Sequence, residues 1–168
     1  HPVNSIRLFL CGDVMTGRGI DQILASPCEP RIHEGYLESA LDYVKLAERA
    51  SGPIPRAVEP SYIWGDALAA LEDLRPDRRI INLETAVTCS GDWLPKGINY
   101  RMNPANVACL TAAGIDCCVL ANNHVLDWGE KGLIETLDTL AGAGLRTAGA
   151  GASRSAAEAP AALEGPGR

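Results

Sequence analysis

The segment Arg79 to Thr85, RIINLET, determines the fold class, because a short apolar run ends directly in polar and acidic residues. Its first five residues, Arg79 to Leu83, lack helical periodicity and are typical of a buried strand. Ser5 to Cys11 (SIRLFLC) and Asp116 to Ala121 (DCCVLA) have the same form, and Leu145 to Gly149 is a weaker fourth candidate. The sequence therefore predicts four short strands, of which the first three are buried.

Amphipathic segments fill the intervals between these strands. The last of them places Leu133, Leu137 and Leu140 on one face of a helix. Asn103 suits a helix N-cap, and Gly114 suits a left-handed helix terminus. Alternating strands and helices indicate an α/β fold with mainly parallel strands covered by helices and joined by right-handed crossovers. The predicted helices are Leu37 to Ala50, Asp66 to Leu74, Pro104 to Ala113 and Glu130 to Ala143.

Composition excludes several classes of protein. The 168 residues carry 15 basic and 21 acidic side chains, and 46% of them are hydrophobic and 21% charged, which is typical of one soluble globular domain over residues 1 to 168. The net charge of −6 argues against a binder of nucleic acid or anionic membranes, since such proteins need a positive field. No apolar stretch approaches the ~20 residues that cross a bilayer, so we expect no transmembrane segment.

The six cysteines show neither C-x-x-C spacing nor a zinc-finger pattern. Cys11, Cys117 and Cys118 fall in apolar strands and Cys109 on the apolar side of a helix, so we predict buried free thiols. Free thiols suit a reducing compartment and favour a cytoplasmic location. The alternative is a leader already removed from a chain that has no initial Met.

Polar groups follow three of the predicted strands. Asp13 comes after the first strand, Glu84 after the second, and Asn123 with His124 after the third, followed by Asp127. Because the carboxyl ends of parallel strands meet at one edge of a sheet, these groups should converge there. Oxygen and imidazole ligands suit a divalent cation such as Mg²⁺, Mn²⁺, Fe²⁺ or Zn²⁺. Taken singly, each residue also has an ordinary interpretation as a helix cap, a solvated acid, or an imidazole bonded to a backbone carbonyl.

Three ordered blocks resemble a known family. Gly12 to Met15 (GDVM), Asn82 to Glu84 (NLE) and Ala121 to Gly129 (ANNHVLDWG) are similar to signature blocks of the CapA-type capsule or poly-γ-glutamate synthesis proteins. The resemblance runs from Leu8 to about Pro160. It implies a calcineurin-like metallophosphoesterase fold, a two-sheet sandwich flanked by helices, of which this chain supplies the first half.

The resemblance also implies roles for individual residues. In the metallophosphoesterase superfamily an Asp after the first strand binds a metal ion, a second acid bridges two metal ions, and an Asn-His pair supplies a ligand and a catalytic imidazole. Met15 is a departure, because the superfamily often has a metal-binding His at that position. By position, metal binding falls to Asp13, Glu84 and Asn123, and catalysis to His124 with Asp127 as its orienting partner.

The implied reaction is metal-assisted hydrolysis of an anionic small molecule or polymer, either a phosphate compound or a γ-glutamyl compound. Arg18 and Arg101 are the candidates to bind the anionic substrate, and each has an alternative interpretation as an ordinary surface arginine. A non-catalytic accessory subunit that uses the same pocket to bind an anionic polymer or an ion is the alternative function.

The end of the sequence suggests that part of the protein is missing. Ala148 to Arg168 is rich in Ala, Gly and Pro, and after the weak strand near its start we predict no further strand or helix. No histidine follows His124, so the candidate groups are too few to complete two metal sites. We therefore expect the chain to be the N-terminal part of a longer protein, whose site is completed by a C-terminal half or by a partner chain.

Overall fold

A computed structural model describes residues 5 to 165, so the ends of the predicted domain, residues 1 to 4 and 166 to 168, lie outside the described residues. The strands are β1 (Leu8–Val14), β2 (Arg78–Leu83), β3 (Ala86–Val87), β4 (Arg101–Met102), β5 (Cys117–Val119) and β6 (Arg146–Ala148). Four of them form a fully parallel sheet in the order β1-β2-β5-β6, and β3 pairs with β4 in a separate two-stranded sheet. The predicted α/β class is confirmed.

Helices connect and cover the strands. They are α1 (Arg18–Ile23), α2 (Ala40–Ser51), α3 (Ala67–Leu74), α4 (Ala108–Ala112), α5 (Gly129–Gly142) and α6 (Arg154–Glu158), with short 3₁₀ turns at Tyr62–Trp64 and Pro104–Asn106. Within residues 5 to 165, no helix combines the length and the apolar character that crossing a membrane requires.

One face of the large sheet carries the hydrophobic core. Ile81 and Leu83 of β2 and Cys118 of β5 are fully buried, and Ile81 pairs in register with Cys118. Leu110 of α4 and Leu140 of α5 belong to the same buried cluster. The helical layer on this face therefore supplies the apolar contacts that hold the sheet.

The opposite face is partly uncovered. Leu8 and Leu10 are 50% and 67% exposed, and Leu10 pairs in register with Ile80 of β2. Residues two apart in a strand share a face, so Leu8 and Leu10 extend the same apolar surface. The prediction that β1 is buried is wrong, because β1 is an edge strand and five of its seven residues are exposed. Cys11, on the face opposite Leu10, is exposed as well instead of buried. The other predicted buried thiols, Cys109, Cys117 and Cys118, are buried.

Element boundaries differ from the prediction in three places. β1 continues to Val14, so Asp13 lies within the strand end and not after it. The helix predicted from Pro104 begins as a 3₁₀ turn, although Asn103 caps it as expected by accepting from the Ala105 backbone N–H at 2.9 Å. The tail contains the short helix α6, which contradicts the prediction of no further helix there; Ser153 caps that helix through its side chain.

The small sheet brings the loop after β1 close to β4. The Ala86 backbone N–H donates to the Tyr100 carbonyl at 3.3 Å and so fixes the segment that enters β4. A Cβ atom on Gly17 would lie 2.8 Å from the Arg101 carbonyl oxygen and 3.0 Å from Thr85 Oγ1. Only glycine allows these segments to approach so closely at the carboxyl edge of the large sheet.

Candidate functional site

A chain of side-chain hydrogen bonds joins three strand ends at the carboxyl edge of the large sheet. Asn82 Nδ2 donates to Asp13 Oδ1 at 3.1 Å, and Asn122 Nδ2 donates to Asn82 Oδ1 at 3.0 Å and to the Leu83 carbonyl at 3.0 Å. Asn122 Oδ1 in turn accepts from the His124 backbone N–H at 3.0 Å. The structure thus brings together Asp13, the end of β2 and the loop after β5.

Two residues beside this edge have left-handed backbone conformations. Asp13 has a φ of 52° and Arg18 a φ of 48°. Each such conformation costs a non-glycine residue roughly 1–2 kcal/mol, and strain of this kind is common at functional sites.

His124 is held by Asp127. The His124 Nδ1 atom lies 2.6 Å from Asp127 Oδ2, and the Asp127 side chain is completely buried. Asp127 Oδ2 also accepts from the Tyr100 backbone N–H at 2.7 Å, and Oδ1 accepts from Lys96 Nζ at 2.6 Å. Because a carboxylate only accepts hydrogen bonds, the proton of the neutral imidazole lies on Nδ1, and Nε2 is left available.

The available nitrogen of His124 faces Glu84. His124 Nε2 lies 3.9 Å from Glu84 Oε1, too far for a hydrogen bond but close enough for attraction when the imidazole is protonated. The side chains of His124 and Glu84 are 7% and 22% exposed. An acid and an imidazole that can exchange protons with a ligand therefore lie side by side at a partly open edge.

Aromatic and charged side chains stack beside His124. The rings of Tyr100 and His124 have centroids 3.9 Å apart and an interplanar angle of 22°. The guanidinium carbon of Arg18 lies 4.5 Å from the Tyr100 ring centroid and 4.7 Å from that of Tyr43. Since two flat groups cannot share one face of a ring at these distances, Arg18 and His124 lie on opposite faces of Tyr100. The result is a column in the order Tyr43, Arg18, Tyr100, His124.

The positive charge of Arg18 is already balanced. Arg18 Nε lies 2.7 Å from Oε1 of Glu34, whose side chain is fully buried, in an ion pair that is not aligned as a hydrogen bond. The Tyr43 hydroxyl donates to Glu34 Oε2 at 2.5 Å, and burial followed by this hydrogen bond raises the pKa of Tyr43. Arg18, predicted to bind substrate, is thus part of a pre-formed network.

Arg101, the other arginine predicted to bind substrate, connects two loops. Its Nη1 donates to the Ser90 carbonyl at 2.9 Å, and its Nη2 donates to the Glu29 carbonyl at 3.2 Å. Its guanidinium carbon also lies 4.1 Å from the ring centroid of Trp128, which is buried. Both terminal nitrogens of Arg101 are therefore committed to backbone carbonyls.

Asn123, the third predicted metal ligand, contacts Lys96 through its backbone. The residue is exposed, and its backbone carbonyl accepts from Lys96 Nζ at 2.5 Å. The neighbouring Asn122 supplies the amide of the hydrogen-bonded chain instead. The structure therefore brings Asp13, Glu84 and His124 to one edge, and the exposed Asn123 directly precedes His124 there.

These donors suit a divalent cation in kind but do not surround a common point. Within residues 5 to 165, no three His, Cys, Asp or Glu side chains lie together in a group that could hold a metal ion. Asp13 is exposed and Glu84 is partly exposed, so both carboxylates are accessible at the strand ends. Carboxylate oxygen and imidazole nitrogen are suitable ligands for Mn²⁺, Fe²⁺ and Zn²⁺, and carboxylate oxygen for Mg²⁺. The residues therefore match a divalent cation in the type of their donor atoms.

Sequence reasoning does not single out Lys96, Tyr100 or Glu34 as parts of this site. All three lie in segments without periodic patterning, where a charged or aromatic side chain is usually solvated. Their roles depend on long-range approaches between loops, which no local pattern encodes. The pair Asn122-Asn123 does carry a signal, but the sequence leaves open which amide turns toward the sheet.

The fold and this edge define the class of the protein: an α/β protein whose parallel sheet ends in carboxylate, amide and imidazole groups. The family model described as "Bacterial capsule synthesis protein PGA_cap" matches residues 7–168, and the chain belongs to that family. This confirms the resemblance to CapA-type capsule and poly-γ-glutamate synthesis proteins.

Two curated relatives give the same indication. In each of two strains of Mycobacterium tuberculosis, a "Probable polyglutamine synthesis accessory protein" is 49% identical to the chain over 153 residues. The aligned region covers 90% of this chain and 40% of each relative, so the chain spans about two fifths of the length of the curated relatives it matches.

Proposed function

We propose that this chain supplies the acid–base part of a metal-dependent hydrolytic site that acts on an anionic phosphate or γ-glutamyl substrate during capsule or polyglutamate synthesis. The observation that carries the proposal is the buried pair of His124 and Asp127 at the carboxyl edge, with Nε2 of His124 3.9 Å from Glu84. Because Asp127 occupies Nδ1, proton exchange takes place at Nε2.

The residues at this edge divide the chemistry among them. A divalent cation held by Asp13 and Glu84 would lower the pKa of a bound water and polarise the bond to be cleaved. His124 Nε2 delivers a proton to the leaving group, and Asp127 stabilises the protonated imidazole. Asn123 stays a proposed third ligand on the family resemblance, and its exposed side chain is sterically free to turn toward a cation.

The two arginines support the proposal unequally. Only Nε of Arg18 is paired with Glu34, and the guanidinium group lies in the column that ends at His124. We therefore keep Arg18 as the candidate contact for an anionic substrate. Arg101 donates from both terminal nitrogens to backbone carbonyls, so we propose that it holds together the loops that contain Ser90 and Glu29.

The test is hydrolysis of generic substrates by the purified full-length protein with added Mn²⁺, Fe²⁺ or Zn²⁺. A phosphomonoester, a phosphodiester and a γ-glutamyl anilide together cover the proposed substrate classes. We expect His124→Gln to lower kcat by about 10²-fold or more, and Asp13→Ala to remove the dependence on metal. Asp42→Asn, on the solvent side of α2, is the matched control and should leave both unchanged. Absence of turnover, together with absence of Mn²⁺-induced NMR broadening near Asp13, would contradict the proposal.

A non-catalytic accessory function is the second candidate. Both curated relatives are named as accessory proteins, which favours it, and so does the lack of a group of three His, Cys, Asp or Glu ligands in the described part of the chain. The expected result is binding of poly-γ-glutamate that is unchanged by Asp13→Ala, without turnover of any substrate above. Under either function we propose that a C-terminal half or a partner chain packs on the uncovered sheet face beside Leu10.

A further inference from the structure

Two cysteines that are far apart in the sequence lie on segments that contact each other in the fold. Cys28 is in the loop after α1, and Cys89 follows β3. Cys28 Sγ donates to the carbonyl of Thr88, the residue before Cys89, at 3.5 Å. The side chain of Cys28 is therefore in direct contact with the residue that precedes Cys89.

The backbone on the other side of the pair is held by Arg101. Its Nη1 donates to the carbonyl of Ser90 and its Nη2 to that of Glu29, the residues that directly follow Cys89 and Cys28. One guanidinium group therefore spans the two segments at the cysteines. This contact fixes the segments independently of the sulfur atoms.

Each segment is also anchored to the rest of the protein. The Cys28 backbone N–H donates to Asp21 Oδ2 at 2.6 Å, and the Cys89 backbone N–H donates to Glu135 Oε2 at 3.0 Å. A disulfide needs two cysteines at short range, with Cβ atoms about 3.5–4.5 Å apart. The anchored segments limit how far Cys28 and Cys89 can separate.

We propose that Cys28 and Cys89 are a redox pair, which a low-molecular-weight disulfide such as glutathione disulfide converts into an intrachain disulfide. The exposed Cys89 thiolate attacks one sulfur of the small disulfide and releases one small thiol. Cys28 then loses its proton to solvent, and its sulfur attacks Cys89 Sγ and expels the second small thiol. The two protein thiols lose two protons and two electrons, and the small disulfide is reduced to two thiols.

The environments of the two thiols fit this order of attack. Cys89 is exposed, whereas Cys28 is buried and needs no access to the solvent-borne disulfide because its target is Cys89. Burial, followed by the charge of Asp21, raises the pKa of the Cys28 thiol, so the second step becomes faster as the pH rises. The reducing compartment predicted from the sequence would keep the pair as thiols until such an oxidant is present.

The experiment incubates the purified chain with glutathione disulfide and maps its peptides by mass spectrometry without reduction. We expect the peptides that contain Cys28 and Cys89 to be linked within one chain, and the link to be absent in Cys89→Ser. Cys11→Ser is the matched control, because Cys11 is also exposed but lies on β1, and it should form the link normally. Glutathione retained on Cys89 with Cys28 still reduced, or Cys89 linked between two chains, would overturn the proposal.

Thermal unfolding provides a second readout. A bond between Cys28 and Cys89 restricts the unfolded chain, so oxidation should raise Tm by several degrees, on the order of 5–10 °C. The rise should be reversed by dithiothreitol and should be absent in Cys89→Ser, whose substitution is at an exposed position and leaves the buried core intact. A rise of the same size in Cys89→Ser would assign the effect to another site and contradict the proposed pair.

Discussion

At the scale of single residues, Asp127 organises the candidate site. Its buried carboxylate accepts hydrogen bonds from a lysine, a backbone N–H and an imidazole, which belong to Lys96, Tyr100 and His124. The loop that carries Tyr100 and the loop that carries His124 are thus joined at one side chain. The orientation of His124 and the position of its stacking partner depend on the same carboxylate.

The first prediction concerns Asp127→Asn. The substitution keeps the size of the side chain but turns one acceptor oxygen into a donor that faces N–H groups. We expect metal-dependent hydrolysis to fall roughly 10–100-fold. The His124 ring should also lose its fixed tautomer, because the carboxylate that accepts from Nδ1 is replaced by an amide. The ¹⁵N chemical shifts of the His124 ring report the tautomer, and Asp92→Asn, at an exposed residue paired with Lys131, is the control that should change neither effect. Unchanged ¹⁵N shifts would mean that Asp127 does not orient the imidazole.

The second prediction concerns Tyr100. Tyr100→Phe keeps the ring between Arg18 and His124 and should preserve both the ring-proton shifts of His124 and the activity. Tyr100→Leu removes the aromatic face, so the His124 ring protons should move downfield and kcat should fall with little change in KM. Equal behaviour of the two variants would show that stacking does not hold the imidazole.

Residue-scale prediction from the sequence succeeds where the signal is local. Asp127 lies three residues after His124, within one block of the family resemblance, and that resemblance implies their contact. Lys96 and Tyr100 reach Asp127 across about thirty positions of chain, and this approach exists only because β4 pairs with β3. The sequence contains these residues, but no local pattern in it predicts that Lys96 and Tyr100 come close to Asp127.

At the scale of secondary-structure elements, Asp21 attaches α1 to the segment that leads into α4. Asp21 Oδ1 accepts from the Asn103 backbone N–H at 2.9 Å and from Asn106 Nδ2 at 2.8 Å. Asp21 Oδ2 accepts from the Cys28 backbone N–H at 2.6 Å. Three donors thus converge on one carboxylate that is almost fully buried.

The third prediction is that Asp21→Asn destabilises the protein by about 1–3 kcal/mol, because an amide N–H would face at least one backbone donor. Chemical unfolding measures the loss. Asp42→Asn, whose exposed partner Lys45 lies one helical turn away, should cost less than about 0.5 kcal/mol. Equal losses in the two variants would contradict a role of Asp21 in joining α1 to the segment before α4.

The fourth prediction concerns how the free energy of unfolding depends on pH in the unmodified protein and in Asp21→Asn. Burial is the largest influence on Asp21 and raises its pKa above the ordinary value of 3.8 in the folded state, despite the hydrogen bonds that lower it. A raised pKa means that the contribution of Asp21 to stability is complete below its ordinary pKa and is lost as the pH rises through the folded-state value. The destabilisation caused by Asp21→Asn should therefore shrink as the pH rises from about 4 to 7. A destabilisation that grows over this range would show that the three donors outweigh burial.

Element-scale prediction succeeds for long or repeated patterns. The apolar runs mark β2, β5 and β6, and the periodic leucines mark α5, within a few residues of their observed bounds. Helix α1 escapes prediction because it is six residues long and begins among glycines, where helix propensity is low. The position of α1 depends on the long-range contacts of Asp21, and these contacts cannot be predicted from a local sequence pattern.

At the scale of the whole molecule, helices cover one face of the large sheet more completely than the other face is covered. Leu83 and Leu120 are almost completely buried beneath the helical layer, whereas Leu10 is 67% exposed on the opposite side. From the sequence, a continuous apolar run predicts burial on both faces. The sequence of β1 is apolar, as predicted. Within residues 5 to 165, however, no segment covers Leu10 as completely as the helices cover Leu83 and Leu120. An apolar sheet face of this kind is typical of a surface against which further polypeptide packs.

The last prediction uses this contrast between the two faces. Leu10→Gln removes an apolar side chain that the fold barely buries, so the free energy of unfolding should change by less than about 0.5 kcal/mol. Binding of the dye ANS and any concentration-dependent self-association should decrease, because the apolar surface shrinks. Leu83→Ala, on the covered face, should cost about 2–5 kcal/mol through lost burial and the cavity left behind. Leu41→Gln, at a leucine exposed on α2, controls for the loss of an exposed leucine elsewhere and should leave self-association unchanged. If Leu10→Gln destabilises the chain as much as Leu83→Ala does, the face around Leu10 is already covered in solution, and the proposal that further polypeptide packs there fails.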